Sequence, residues 1–159
     1  MRKLMVVLLI MVCGLGVVSA QNTTVENLVR INVGALVLGP LIGIYGLDLS
    51  YERVLADWLG LNLSVWGLND TNSWGIGVGT SLDFFLIGNA PNGFFLNTRT
   101  GSVFGEIYGT PTTAMQFGLS AGFQNVYPGG LVLRLGTGAS WIVGRRFLPR
   151  ILASVGYGF

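Results

Sequence analysis

The chain has 159 residues, one Cys and no His; 10 % of its residues are charged and 25 are Gly. That length suits one domain. Soluble domains carry about 25 % charge and about 7 % Gly, so an ordinary cytosolic globule is excluded, and the 51 % hydrophobic content excludes a disordered chain. The missing His excludes Ser-His-Asp triads, His-x-x-Glu-His zinc sites and His general bases.

Arg2 and Lys3 precede an uncharged apolar run, residues 4–18, which ends in the small residues Ser19 and Ala20. A basic start, an apolar centre and a small-residue exit describe a secretory signal peptide over residues 1–20. Cleavage is expected between Ala20 and Gln21. A retained anchor is the other reading, although the run falls short of the ~20 residues that a spanning helix needs. Val12 stands where a lipoprotein signal wants a small residue before Cys13, so lipidation is not expected. Residues 21–27 read as a short leading segment and 28–159 as the mature domain. Without residues 1–20 the chain keeps seven basic and seven acidic residues, no Lys and no Cys. No basic patch remains for nucleic acid, and no disulfide or thiol chemistry.

The mature chain alternates with period 2, the signature of strands. In 28–38, Val29, Ile31, Val33, Ala35 and Val37 oppose Arg30, Asn32 and Gly34. In 45–52, Tyr45, Leu47, Leu49 and Tyr51 alternate with Gly46, Asp48, Ser50 and Glu52. Segments 59–65, 73–86, 114–125, 131–143 and 151–159 behave alike, with Val132, Ile142 and Leu152 as apolar exceptions on the small-residue face. Segment 94–108 is least regular, and a phase slip near Ser102 is expected at a bulge. Turn signals stand at 39–40, 56–57, 69–72, 89–93, 110–113, 128–130 and 148–149. Two uncharged stretches, 31–47 and 107–133, are long enough for membrane helices, but Pro40, Pro111, Pro128 and several Gly oppose a helix there.

Eight such segments predict an all-β protein. One face is large and apolar; the other is Gly, Ser, Asn and a few charges. Turned outward, the second face would make a poor soluble surface. Turned inward, it suits a membrane barrel, whose apolar face meets lipid and whose narrow interior favours small residues. The fold expected is an eight-stranded antiparallel up-and-down transmembrane β-barrel. Tyr51, Trp58, Phe84, Phe94, Tyr127 and Phe159 would ring one rim, and Tyr45, Trp66, Trp74, Tyr108, Trp141 and Phe147 the other, as interfacial girdles do. Aromatics gathering at strand ends for other reasons is the plainer reading.

The chain resembles the small outer-membrane β-barrels of the OmpA/OmpX type over residues 28–159. The last strand carries the resemblance: Ile151, Ala153, Val155, Tyr157 and Phe159 stand at alternate positions up to the terminal Phe. The resemblance implies that Val155, Tyr157 and Phe159 form the signal read by the barrel-assembly machinery, with periplasmic chaperones as earlier partners. Residues 47–55, Leu-Asp-Leu-Ser-Tyr-Glu-Arg-Val-Leu, are similar to hairpins of this group and imply no activity. Every loop is short here, whereas the group often has long outer loops, and this speaks against binding at the cell surface.

In such a barrel Arg30, Asp48, Glu52, Asp83, Arg99 and Arg134 point inward as an interior charge network, with Glu106 at an irregular position. A turn centred on Pro91 would set Asp83 opposite Arg99. A three-residue turn at 39–41 would set Arg30 opposite Ser50, with Asp48 and Glu52 as diagonal neighbours. Unpaired charges in so narrow an interior are costly, so pairing is expected. Two readings stand: a polar core that closes the barrel, or a narrow conduit for ions. Asp48 and Glu52 could serve acid–base work in principle, but Arg30 gives them a structural task. No enzyme, metal site or cofactor is expected. Gly75, Gly77 and Gly79 follow a strand period, not that of a phosphate loop before a helix. Arg145, Arg146 and Arg150 surround Phe147-Leu148-Pro149 in the expected last outer loop. They could contact lipid headgroup phosphates, or form a solvated positive rim. The chain is thus expected in the outer membrane as a monomer among outer-membrane lipid. Its role is structural, or one the sequence does not assign; a narrow pore and a surface interaction protein are the alternatives.

Overall fold

Bulky residues at every second position build eight strands among the described residues, which are 25–34, 44–70, 72–107, 109–144 and 146–159 of this computed structural model. The strands are β1 (Asn27–Asn32), β2 (Ile44–Ala56), β3 (Leu59–Asp70), β4 (Ser73–Ile87), β5 (Gly93–Ile107), β6 (Thr110–Val126), β7 (Leu131–Ile142) and β8 (Arg146–Gly158). Each pairs antiparallel with the next, and β8 pairs with β1, closing a barrel. The leader expected over residues 1–20 lies outside the described residues. The helical reading of 107–133 gives way to the end of β5, all of β6 and the start of β7.

Several strands run further than composition suggests. Residues 110–113, expected as a turn, are the start of β6, with Ile107 opposite Thr110 and Glu106 opposite Pro111. Residues 148–149, also expected as a turn, lie within β8, where Pro149 faces Ala139. Pro111 sits where no ladder bond is lost on the far side, since β6 begins to pair with β7 only at Gln116; the described pairing of β8 with β1 reaches Ser154. Thr, being β-branched, extends a strand readily.

The phase slip expected near Ser102 is absent, since β5 holds one register with β6 from Gly93 to Ile107. The shift lies in β4 instead, between Phe85 and Ile87, beside the 88–92 turn whose Gly88 has φ +94°. Asp83 therefore faces Asn97, and Arg99 faces Ser81, rather than each other. The displacement is two residues, so both side chains keep the inward face. On the other hairpin Arg30 faces Ser50, the register a three-residue turn would produce; residues 39–41 lie outside those described.

Chain order places residues 25 and 159 at one end of the barrel, here called the base, with the turns at 57–58, 88–92 and 127–130. The opposite end is the mouth. Outward positions are apolar over most of the height, from Leu63, Val65 and Ile76 to Leu119 and Val155, all exposed. The apolar exceptions are buried: Ile142 at the mouth end of β7, Val132 and Leu152 in the packing below it. Val132 packs with Leu28 and Val126; Leu152 packs with Phe85 and Phe95.

Candidate functional site

Inside the lower half, one polar side chain from each of β1 to β7 meets near the axis. Arg30 donates to Glu52, Gln124 and Asn62. Arg134 grips Asp83 with both terminal nitrogens, at 2.5 and 2.8 Å, and its guanidinium lies 3.6 Å from the Phe95 ring centroid. Asn62 and Asn97 donate to the remaining lone pairs of Asp83, at 2.8 and 2.7 Å. Glu52, Asp83 and Gln124 have no exposed surface. The Gln124 amide is oriented by charge: its oxygen accepts from Arg30 and Arg134, while its nitrogen donates to Glu52 and to the Pro91 carbonyl at 3.0 Å. Gly60 leaves room for Glu52, since a Cβ there would meet its carboxylate.

Nearer the mouth a second group forms around Asp48. Arg99 donates to Asp48 at 2.6 Å and to Ser64 at 2.9 Å. Its guanidinium stacks 3.7 Å from the Trp66 ring centroid. The small residues of β4 and β5 make this possible, because a Cβ at Gly77, Gly79 or Gly101 would run into the indole. Gly77 and Gly79 of the Gly-x-Gly-x-Gly string, with Gly101, are thus a shelf for a tryptophan. Gly77→Val is expected to overpack that shelf at a cost of about 1–3 kcal/mol. Trp66→Ala added to Gly77→Val should recover part of the loss in urea unfolding. A double variant no better than Gly77→Val would contradict the shelf.

All six interior charges expected from the sequence face the lumen; Arg30 of β1 pairs with Glu52 of β2, one of the two diagonal neighbours expected for it, whereas the other pairs reach across the lumen rather than along a hairpin. Asp83 of β4 is held by Arg134 of β7, and Arg99 of β5 by Asp48 of β2. Glu106 shares the outer face with its neighbour across the strand, the exposed Trp74. The expected headgroup contact by Arg150 is corrected. Arg150 lies in β8 and points inward, donating to Asn97 at 3.2 Å and to Asp48 at 3.4 Å. Arg145 lies outside the described residues, and only the backbone of Arg146 is described, opposite Ile142. The girdle position given to Trp66 is also corrected: it is 4 % exposed, on the inward face it shares with Asn62 and Ser64.

Other aromatics expected in the girdles do border the exterior. At the base Trp58 stacks on Phe84, and Phe94 meets Phe123 edge-on. Trp74, Trp141 and Phe147 stand exposed toward the mouth. Tyr108 lies outside the described residues, and Tyr45 is described by its backbone alone. Val155, Tyr157 and Phe159 project outward from the last strand. Asn62, Asn97 and Gln124 went unrecognised as bridging groups; their alternation shows the inward face, but only closure of the barrel brings them together.

Neither a protein-family model nor a curated protein sequence matches the chain. Among solved structures, that of the Yersinia pestis outer membrane protein Ail in a phospholipid bilayer nanodisc is similar at a TM-score of 0.53, with 15 % identity over 85 % of this chain and 99 % of that one. A de novo designed transmembrane β-barrel is similar at a TM-score of 0.48, with 14 % identity over 87 % and 99 %. The fold is a closed eight-stranded antiparallel β-barrel, the fold that the outer membrane protein Ail shares.

Proposed function

We propose that this chain is the precursor of a monomeric, non-enzymatic outer-membrane barrel with a structural role and a lumen closed by its own side chains. The observation that carries the reading is inversion: the exterior is apolar, while more of the buried side chains are polar or charged (Arg, Asp, Glu, Asn, Gln and Ser) than apolar. The height of the apolar band agrees. Trp74 and Phe84 lie ten residues apart on β4, which at about 3.3 Å per residue and a tilt of about 40° is about 25 Å, the height of a lipid-facing band. Residues 1–20 serve as the export signal, outer-membrane lipid covers the band, and the terminal strand with Val155, Tyr157 and Phe159 is the element offered to the assembly machinery and its chaperones.

The test uses protein without residues 1–20, refolded into detergent and then into planar bilayers. A heat-dependent gel shift with β-rich circular dichroism, and no stepwise conductance, are expected. No shift together with helical dichroism would remove the membrane-barrel reading. Stepwise currents would remove the closed lumen and favour a narrow ion pore. That second reading has a specific support, the two spaces of about 90 and about 20 Å³ left among the interior arginines.

A further inference from the structure

The described charges of the lower cluster cancel: Arg30 and Arg134 against Glu52 and Asp83. Those nearer the mouth do not. Arg99 and Arg150 both reach Oδ2 of Asp48, at 2.6 and 3.4 Å. Among the described charges lining it, one positive charge is left in excess, beside a cavity of about 90 Å³ lined by both arginines, Asp48, Asn32, Gln116 and Ser140. A charge withdrawn from water calls for a counter-charge.

The cavity wall also holds unused hydrogen-bonding capacity. Among the described residues Arg150 makes two long bonds, 3.2 Å to Asn97 and 3.4 Å to Asp48, and a guanidinium has five N–H groups to give. Arg99 Nε and Gln116 Oε1 are buried with no partner among the described residues. The two ends of the Gln116 amide exchange by a half-turn, so this residue can present its N–H₂ to the cavity.

We propose that this cavity binds one small monovalent anion, a short carboxylate such as formate, against Arg150, with Arg99 Nε and Gln116 as further donors. One negative charge balances the excess. The planar fork of a guanidinium matches the two oxygens of a carboxylate. A space of about 90 Å³ is several times the ~10–15 Å³ that one water needs, room for an ion the size of formate. The site does not depend on whether the lumen conducts.

The test is a formate titration of the refolded, ¹⁵N-arginine-labelled barrel in zwitterionic micelles, with gluconate holding the ionic strength constant. The Arg99 Nε–H resonance, identified by the ring-current shift from the adjacent Trp66, is expected to move saturably. Arg150→Gln should weaken binding at least about tenfold, the loss of about 1.4 kcal/mol. Asp48→Asn, which raises the excess charge from one to two, should tighten it. A linear shift in the wild-type protein overturns the proposal, as does an unchanged titration in Arg150→Gln or a weaker one in Asp48→Asn. Sulfate binding more tightly than formate at the same resonance also overturns it. If Arg150→Gln fails to give the folded gel band, the wild-type and Asp48→Asn curves still decide.

Discussion

Arg134→Met lowers the unfolding free energy of the vesicle-embedded barrel by about 3–5 kcal/mol, the cost of leaving one partner of a buried ion pair alone. Asp83 has no exposed surface, and Arg134 supplies its only two-pronged contact. Without Arg134 the lower cluster carries one uncompensated negative charge, with Asn62 and Asn97 as the direct donors left to Asp83. Asp83→Leu alone carries a loss of the same order. Arg134→Met with Asp83→Leu loses less than either single change, because no charge is stranded and the new side chains meet Phe95. Urea unfolding in vesicles, followed by tryptophan fluorescence and by the gel shift, measures all three. Additive losses would show that the two side chains act independently.

Leu119→Arg is expected to cost about 2–4 kcal/mol, the penalty for a cation on the lipid face near the bilayer midplane. Leu119 is 66 % exposed, near the middle of β6, between Thr98 and Ala139 on the neighbouring strands. On a water-facing surface the same change would stay within about 0.5 kcal/mol. The same vesicle unfolding assay separates the two. A loss below about 0.5 kcal/mol would mean that lipid does not cover this face.

The strands were legible because a two-residue period survives whatever surrounds it. Even the exceptions obey it: Val132 and Leu152 read as errors in the small-residue face, yet they are the apolar packing of the base. Trp66 shows the same rule, since its phase with Asn62 and Ser64 already placed it inside. Strand ends were poorly legible. Thr110 and Pro111 have turn chemistry but occupy positions with pairing on one side only, and Pro149 has turn chemistry but pairs with Ala139. Register was legible at Arg30 and Ser50, and lost where a bulge at Phe85/Ile87 added a residue. Pairing across the lumen, Asp83 to Arg134 and Asp48 to Arg99, was out of reach. It depends on which strands oppose each other across a closed barrel, and strand-by-strand alternation does not contain that information.

The meeting of seven strands around Arg30, Asp83 and Arg134 has a consequence for the order of folding. Hairpins such as β4–β5 or β6–β7 can form from local contacts, and local contacts form early. The bond from β4 to β7 has no meaning in a hairpin or an open sheet; it exists only once β8 has joined β1. Interactions made after the transition state leave the folding rate almost untouched and act on the unfolding rate. The interior ion pair is thereby a latch thrown after closure, and it sets how long a finished barrel lasts more than how quickly one is made.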